Sequence, residues 1–217
     1  MNEHERAAFI RAHTHVRPVP LVPSISIHMA DEATALWSKT EDELGEIGLA
    51  PPFWAFAWAG GQALARYTLD HPHETRGKRV LDFAAGSGLV AIAAAHAGAA
   101  QVEACDIDAF AATAIRLNSA QNGANVQALL QDIVGRDEGW DVVLAGDVSY
   151  ERDMARRVTD WLRTLTKRGA RVLVGDPGRA YLARALMEPL ARYDAPTSRD
   201  IEDADVKPTT VFALRAD

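Results

Sequence analysis

The chain has 217 residues, 48% of them apolar, and its 23 basic and 30 acidic side chains give a formal charge of −7. That length supports one α/β domain with a substantial core and leaves little room for two. The acidic balance, with no basic run beyond Lys167-Arg168, argues against nucleic acid as a partner, because phosphate contacts need clustered Lys and Arg. Cys105 is the only cysteine, which rules out a disulfide framework and fits a reducing compartment. Glu3, His4, Glu5 and Arg6 stand where a secretion signal would be apolar. The most apolar stretch, Leu89 to Ala100, is broken by His96 and Gly98 and is too short to span a bilayer. A cytoplasmic protein with no membrane partner is expected.

Asn2 to Ala12 reads as a short charged helix. Arg17 to Met29, with Pro18, Pro20 and Pro23, is expected to be extended, and the Ser24-Ile25-Ser26-Ile27 alternation suits an edge strand. Glu32 to Leu44 carries Leu36, Trp37, Thr40 and Leu44 at helical spacing, with Gly45 to close it. An aromatic run follows, Pro51-Pro52-Phe53-Trp54-Ala55-Phe56-Ala57-Trp58. After Gly60-Gly61, the spacing of Ala63, Leu64, Tyr67 and Leu69 predicts an amphipathic helix ending before His71-Pro72. Residues 1–70 are therefore expected to form a helical and extended segment that packs on and covers the site. Residues 71–217 would be the ligand-binding domain of the same structural unit.

From Arg79 onward the hydrophobic period switches repeatedly, the signature of alternating strands and helices. Strands are predicted at Val80–Phe83, Gln101–Cys105, Val126–Leu130, Trp140–Leu144 and Arg171–Val174. Helices are predicted at Leu89–Ala97, Ala109–Gln121, Arg152–Thr166 and Ala180–Met187. Leu190–Asp194 and Thr209–Leu214 would be two last strands, antiparallel because no helix separates them. The result is a doubly wound α/β fold, Rossmann-like, with a seven-stranded, mostly parallel sheet and right-handed crossovers.

Ligands of such sheets bind beyond the carboxyl ends of the strands, near the point where the winding reverses. After the first of these strands stands Asp82-Phe83-Ala84-Ala85-Gly86-Ser87-Gly88-Leu89. Its glycines let the backbone approach a ligand, and the following helix aims its positive end there. Gly86-x-Gly88-x-x-Ala91 also fits a dinucleotide fingerprint, so the glycines alone do not choose between ligands. Asp82 does. A carboxylate at the mouth of this loop repels a pyrophosphate but accepts hydrogen bonds from an amino-acid ammonium. S-adenosylmethionine carries such an ammonium, and also a ribose for Asp106, twenty residues beyond Gly86, with Ile107 beside it.

Asp132 can accept from an adenine amino group with Ile133 on the ring face, or be an exposed turn residue. Gly146 lets the chain pass close to the cofactor, while Asp147 and Tyr150 can face the reacting centre; Asp147 or Ser149 can instead cap the next helix. Asp176 and Arg179, in the turn Gly175-Asp176-Pro177-Gly178-Arg179, either touch substrate or only shape the turn. Phe53, Phe56 and Trp54 are core or pocket. His13/His15 and His71/His73 lack the acid or cysteine partners of a metal site, so no metal is expected.

The segments Pro52 to Gln62, Leu81 to Gly88, Gly146 to Tyr150 and Gly175 to Arg179 together resemble the seven-β-strand protein-lysine methyltransferases. The resemblance is strongest to those that methylate the β subunit of electron-transfer flavoprotein. It implies that Trp58, Ala84, Ala85, Gly86, Asp106 and Gly146 line an S-adenosylmethionine pocket. It also implies that Asp147 and Tyr150, an acid and an aromatic separated by two residues, frame a substrate lysine. Ser87, Gly88, Asp82, Ile107, Asp132 and Ile133 would complete the cofactor site, and Trp54, Asp176 and Arg179 the substrate side. Ala84 departs from the commonest pattern, which has glycine there. The alternative is a methyltransferase acting on a ribosomal protein or another substrate such as a small molecule; a nicotinamide-dependent oxidoreductase and a binding module without catalysis are the more remote readings.

A lysine of pKa about 10.4 must be delivered neutral, at a cost of roughly 4.6 kcal/mol at pH 7. Apolar walls from Trp54, Phe56 and Trp58 and the positive sulfonium both disfavour a charged lysine. Asp147 pulls the other way. It is therefore assigned capture and orientation of the lysine rather than lowering of its pKa.

Overall fold

The structure, a computed structural model, describes residues 1–31, 52–197, 199 and 202–216. The helix expected over Glu32–Leu44 lies outside them. Helix α1 (Glu3–His13) opens on a capping box, the Asn2 side chain accepting from the Glu5 N–H while the Glu5 carboxylate accepts from Asn2. Strands β1 (His15–Val19) and β2 (Val22–Met29) then pair antiparallel as a hairpin apart from the main sheet. The expected edge strand is thus one arm of a hairpin. Its free edge is covered: the Ser26 and His28 N–H groups donate to the side-chain oxygens of Asn122 and Asn118. Paired this way, the edge offers no template to another strand.

Helix α2 (Ala59–Asp70) leads into β3 (Arg79–Phe83), α3 (Leu89–His96), β4 (Gln101–Asp106), α4 (Ala109–Gln121), β5 (Gln127–Leu130), β6 (Val142–Gly146), α5 (Arg152–Arg168), β7 (Arg171–Asp176), β8 (Met187–Pro196) and β9 (Val206–Leu214). The seven strands of the main sheet run in the order β5-β4-β3-β6-β7-β9-β8. The first five are parallel, and β9 pairs antiparallel with both β7 and β8. The winding reverses between β3 and β6. That places the crevice beyond their carboxyl ends, as the sequence predicts.

Strand residues alternate between two cores, as the period of two requires. Val80, Val142, Leu144 and Leu173 pack with α2, α3 and the hairpin residues Ile25 and Ile27. Leu81, Val143, Ala145, Val172 and Val174 face the other way, onto Val158, Trp161, Leu162 and Leu165 of α5. That spacing on α5 is one helical stripe, and burying each such side chain contributes roughly 1.5–3 kcal/mol. Gly169, left-handed at φ +106°, ends the helix. Ala63, Leu64, Ala65 and Tyr67 of α2 sit in the first core, so this helix packs directly on the sheet. A third cluster joins Ile10 of α1 to Trp54, Phe56, Phe110 and Ala114.

One predicted element is absent. Ala180–Met187 is not a helix; only Arg184–Leu186 makes a single 3-10 turn, and Met187 already begins β8, opposite Leu214. The residues favour a helix locally, but β8 is the outer strand, beyond β9. The chain spends this segment crossing the end of the sheet to reach it.

Candidate active site

A cavity of about 520 Å³ opens above the carboxyl ends of β3, β4 and β6, within the usual size of a small-molecule site. Its floor is the turn after β3. Gly86 takes φ +52° and Gly88 φ +78°, but so does a residue with a side chain, Ala84, at φ +53°. Left-handed backbone costs an ordinary residue roughly 1–2 kcal/mol, so the turn holds Ala84 where glycine would sit without strain. Gly88 does not line the cavity: a Cβ there would fall 3.2–3.3 Å from Ile115, so its smallness serves the contact of α3 with α4.

Asp82, 1% exposed, is the penultimate residue of β3, beneath this turn, and lines the cavity. One carboxylate oxygen accepts from the Ala91 N–H at 2.9 Å; no protein donor among the described residues meets the other. Burial, reinforced by the nearby Asp106 charge, raises its pKa to about 8. A buried carboxylate with a free oxygen and no cation is a receptor for an ammonium group. Asp106 ends β4 and accepts from the N–H groups of Gly86 and Asp108 at 2.9 and 3.0 Å. Burial raises its pKa too. An ionised carboxylate has about four acceptor sites, so capacity remains for ribose hydroxyls. Ile107, 76% exposed, stands at the rim.

The turn after β5 departs from expectation. Asp132 lines the cavity, but its carboxylate accepts from the Val134 N–H at 3.0 Å and pairs with Arg157 at 2.5 Å. This tight turn directs Ile133 into the core beneath α5, and Val134 forms the cavity wall in its place. The wall opposite is aromatic. Trp54 stacks on Phe110 with ring centroids 5.8 Å apart, and the Trp58 indole N–H donates to the Phe53 carbonyl at 2.9 Å. Trp54, Phe56 and Trp58 belong to the third cluster and line the cavity as well, so the choice between core and pocket is resolved as both.

Beyond β6 the chain makes a tightly constrained turn. Gly60 at the start of α2 packs against Gly175 of β7 so closely that a Cβ on Gly60 would lie 2.3 Å from the Gly175 carbonyl. Gly146 touches Gly61 in the same way, at 3.0 Å. This four-glycine contact sets the helix start directly on the strand ends. Asp147 follows at φ +56°, its N–H donating to the Gly175 carbonyl and its Oδ2 accepting from the Gly61 N–H at 3.0 Å. A strained backbone held by its surroundings is a mark of a functional position. Arg179 donates to Asp147 Oδ1 from Nη2 at 2.8 Å and from Nε at 3.2 Å. Arg179 also donates to Glu202 at 2.8 Å and lies 5.8 Å from the centre of the Trp58 ring. Burial outweighs these partners and raises the Asp147 pKa to about 6. Tyr150, 50% exposed, stands at the mouth beside Phe53.

Asp176 does not reach the cavity. It is buried, and its Oδ1 accepts from the N–H groups of Gly178 and Arg179 at 2.6 and 2.7 Å, so it shapes the turn that presents Arg179. Sequence reasoning missed Gly60, Gly61, Arg157, Val134 and Glu202. A glycine pair opening a helix straight after the aromatic run was the available signal for the first two. Glu202 had none, because its contact with Arg179 reaches back across the whole length of β8 from the β8–β9 connection.

The sheet order, the glycine turn and the aspartates at the ends of β3, β4 and β6 define a class I methyltransferase. Among solved structures the chain is similar to the magnesium protoporphyrin IX methyltransferase of Synechocystis PCC 6803, determined with bound SAH. The TM-score is 0.54 and the identity 14%, over 85% of this chain and 100% of that one. The model of the ribosomal protein L11 methyltransferase family matches residues 62–168. Two relatives are nearer. The electron transfer flavoprotein beta subunit lysine methyltransferase of Xenopus laevis is 38% identical over 95% of this chain and 86% of its own length. That of Homo sapiens is 40% identical over 81% and 67%. The chain belongs to the family of electron transfer flavoprotein beta subunit lysine methyltransferases.

Proposed function

We propose that the protein transfers methyl groups from S-adenosylmethionine to lysine side chains of the β subunit of electron-transfer flavoprotein. The cofactor is S-adenosylmethionine. Its fit rests on the free oxygen of Asp82, which matches the methionine ammonium, on Asp106 at ribose position, and on the apolar wall from Trp54 to Trp58. When bound, it supplies a methyl group already activated on a sulfonium. The single observation that carries the lysine reading is Asp147, a carboxylate strained and fixed at the end of β6, with Tyr150 at the mouth of the same cavity.

The protein's own contribution is alignment, exclusion of water and control of one proton. Holding the amine in line with the methyl and sulfur removes much of the entropic barrier. The aromatic walls desolvate the lysine and favour its neutral form. Asp147 and Tyr150 orient the nitrogen; its proton leaves to solvent before transfer. A cytoplasmic location belongs to this reading, supported by a single cysteine, buried and with its thiol pKa pushed up to about 12. A second substrate reading, a ribosomal protein, is favoured by the match to the ribosomal protein L11 methyltransferase model.

The test is to incubate the protein with labelled S-adenosylmethionine and, separately, purified electron-transfer flavoprotein and ribosomal proteins. The modified residues are then mapped by mass spectrometry. Label on lysines of the flavoprotein β subunit is expected; label only on a ribosomal protein selects the second reading, and label on neither overturns both.

A further inference from the structure

A carboxylate that orients a lysine also stabilises its ammonium, which opposes the deprotonation that methyl transfer requires. The structure answers this conflict at Arg179. Asp147 Oδ1 already receives two N–H groups from that guanidinium, and Oδ2 receives the Gly61 N–H. Arg179 is held from its other side by Glu202, whose side chain is only 3% exposed, and from below by the Trp58 ring. Asp176 fixes the Arg179 backbone. The guanidinium therefore cannot relax away from the carboxylate without breaking contacts to two further elements, the β8–β9 connection at Glu202 and the aromatic run at Trp58.

We infer that Arg179 is a positioning residue that neutralises Asp147, so that the carboxylate orients the substrate amine without holding it charged. Glu202 keeps Arg179 in that role. This rests on the lysine reading above. An incoming ammonium meets the guanidinium beside the acid, and the like charge favours loss of the lysine proton. Asp147 keeps acceptor capacity for a neutral amine's N–H. The other charged groups around this pair are Asp203 and Lys207, Lys207 standing 4.0 Å from Glu202 and paired with Asp203. Tyr150 and, behind it, Asp106 face the pair across the cavity.

The experiment is the pH profile of kcat, which reports ionisation within the enzyme–substrate complex, measured on the intact enzyme with the unmethylated form of whichever protein, flavoprotein β subunit or ribosomal protein, takes label in the test above. For Arg179→Gln the acid limb rises by roughly one pH unit, so that activity falls about tenfold at pH 7.5 and recovers at alkaline pH. Arg179→Lys keeps the charge, and its limb stays with the wild type even where kcat is lower. Glu202→Gln removes a negative charge and moves the limb the other way, to lower pH. This second variant decides the matter if Arg179→Gln fails to fold. A rate reduced equally at every pH in Arg179→Gln, or an upward or unmoved limb in Glu202→Gln, overturns the inference. Absence of lysine methylation by the wild type sinks the underlying reading instead, so the two failures are distinct.

Discussion

The two rims of the cavity each carry one largely enclosed acid, Asp82 fully buried and Asp147 with its side chain 11% exposed, and they are built oppositely. At the end of β3, Asp82 has one backbone donor and no cation, and its pKa is raised to about 8. At the end of β6, Asp147 has a backbone donor and a two-pronged guanidinium, and its pKa rises only to about 6. The first acid is incomplete without a positively charged ligand. The second is already balanced. A buried acid that waits for an ammonium serves affinity; one neutralised in advance serves orientation. The comparison assigns the cofactor's charged end to the first rim and the nucleophile, which must be neutral when it reacts, to the second.

Replacing the second acid breaks the comparison most severely. Asp147→Ala should lower kcat by roughly a hundredfold or more, the penalty of a misplaced nucleophile. S-adenosylhomocysteine affinity measured by calorimetry should stay within about threefold. Asp82→Asn should show the reverse emphasis. Removing one partner of a buried charge pair costs roughly 2–5 kcal/mol, so the affinity falls at least about thirtyfold while saturating cofactor restores much of the rate.

Stability against pH sharpens the contrast. The folded-state pKa of Asp82 lies above its unfolded value, so its contribution to stability is complete below the unfolded pKa and is lost as pH rises through about 8. The ligand-free protein should therefore lose thermal midpoint from about pH 4 up to about pH 8 and level off above it, and Asp82→Asn should flatten that stretch of the curve. The smallest effect belongs to Ala84. Ala84→Gly relieves left-handed strain but adds unfolded-state entropy. A net gain of about 0.5 kcal/mol is expected in denaturant titrations, with cofactor affinity unchanged.

The same two rims differ in how far they could be read before folding. Asp82, Gly86 and Asp106 were legible because each follows a run such as Val80-Leu81 or Val102–Cys105 that is apolar enough to be a buried parallel strand, and the topology of such sheets fixes where strand ends go. Asp147 was legible for the same reason. What surrounds it was not: Gly60 and Glu202 arrive from opposite ends of the chain, and contacts at that separation leave no periodic trace. Ile133 was misplaced by one residue because the Asp132 side chain caps its own turn and reverses which neighbour faces the cavity. The segment Ala180–Met187 carries local helix preference that a long crossing to the sheet's outer strand overrides.

The most direct test of the contrast is calorimetric titration of S-adenosylhomocysteine into the protein at pH 6.5 and pH 8, each in two buffers of different ionisation enthalpy. If Asp82 must give up a proton to receive the ammonium, binding tightens roughly tenfold at the higher pH, and protons are released at pH 6.5. Equal affinity at the two pH values, with no proton exchanged, would contradict the account.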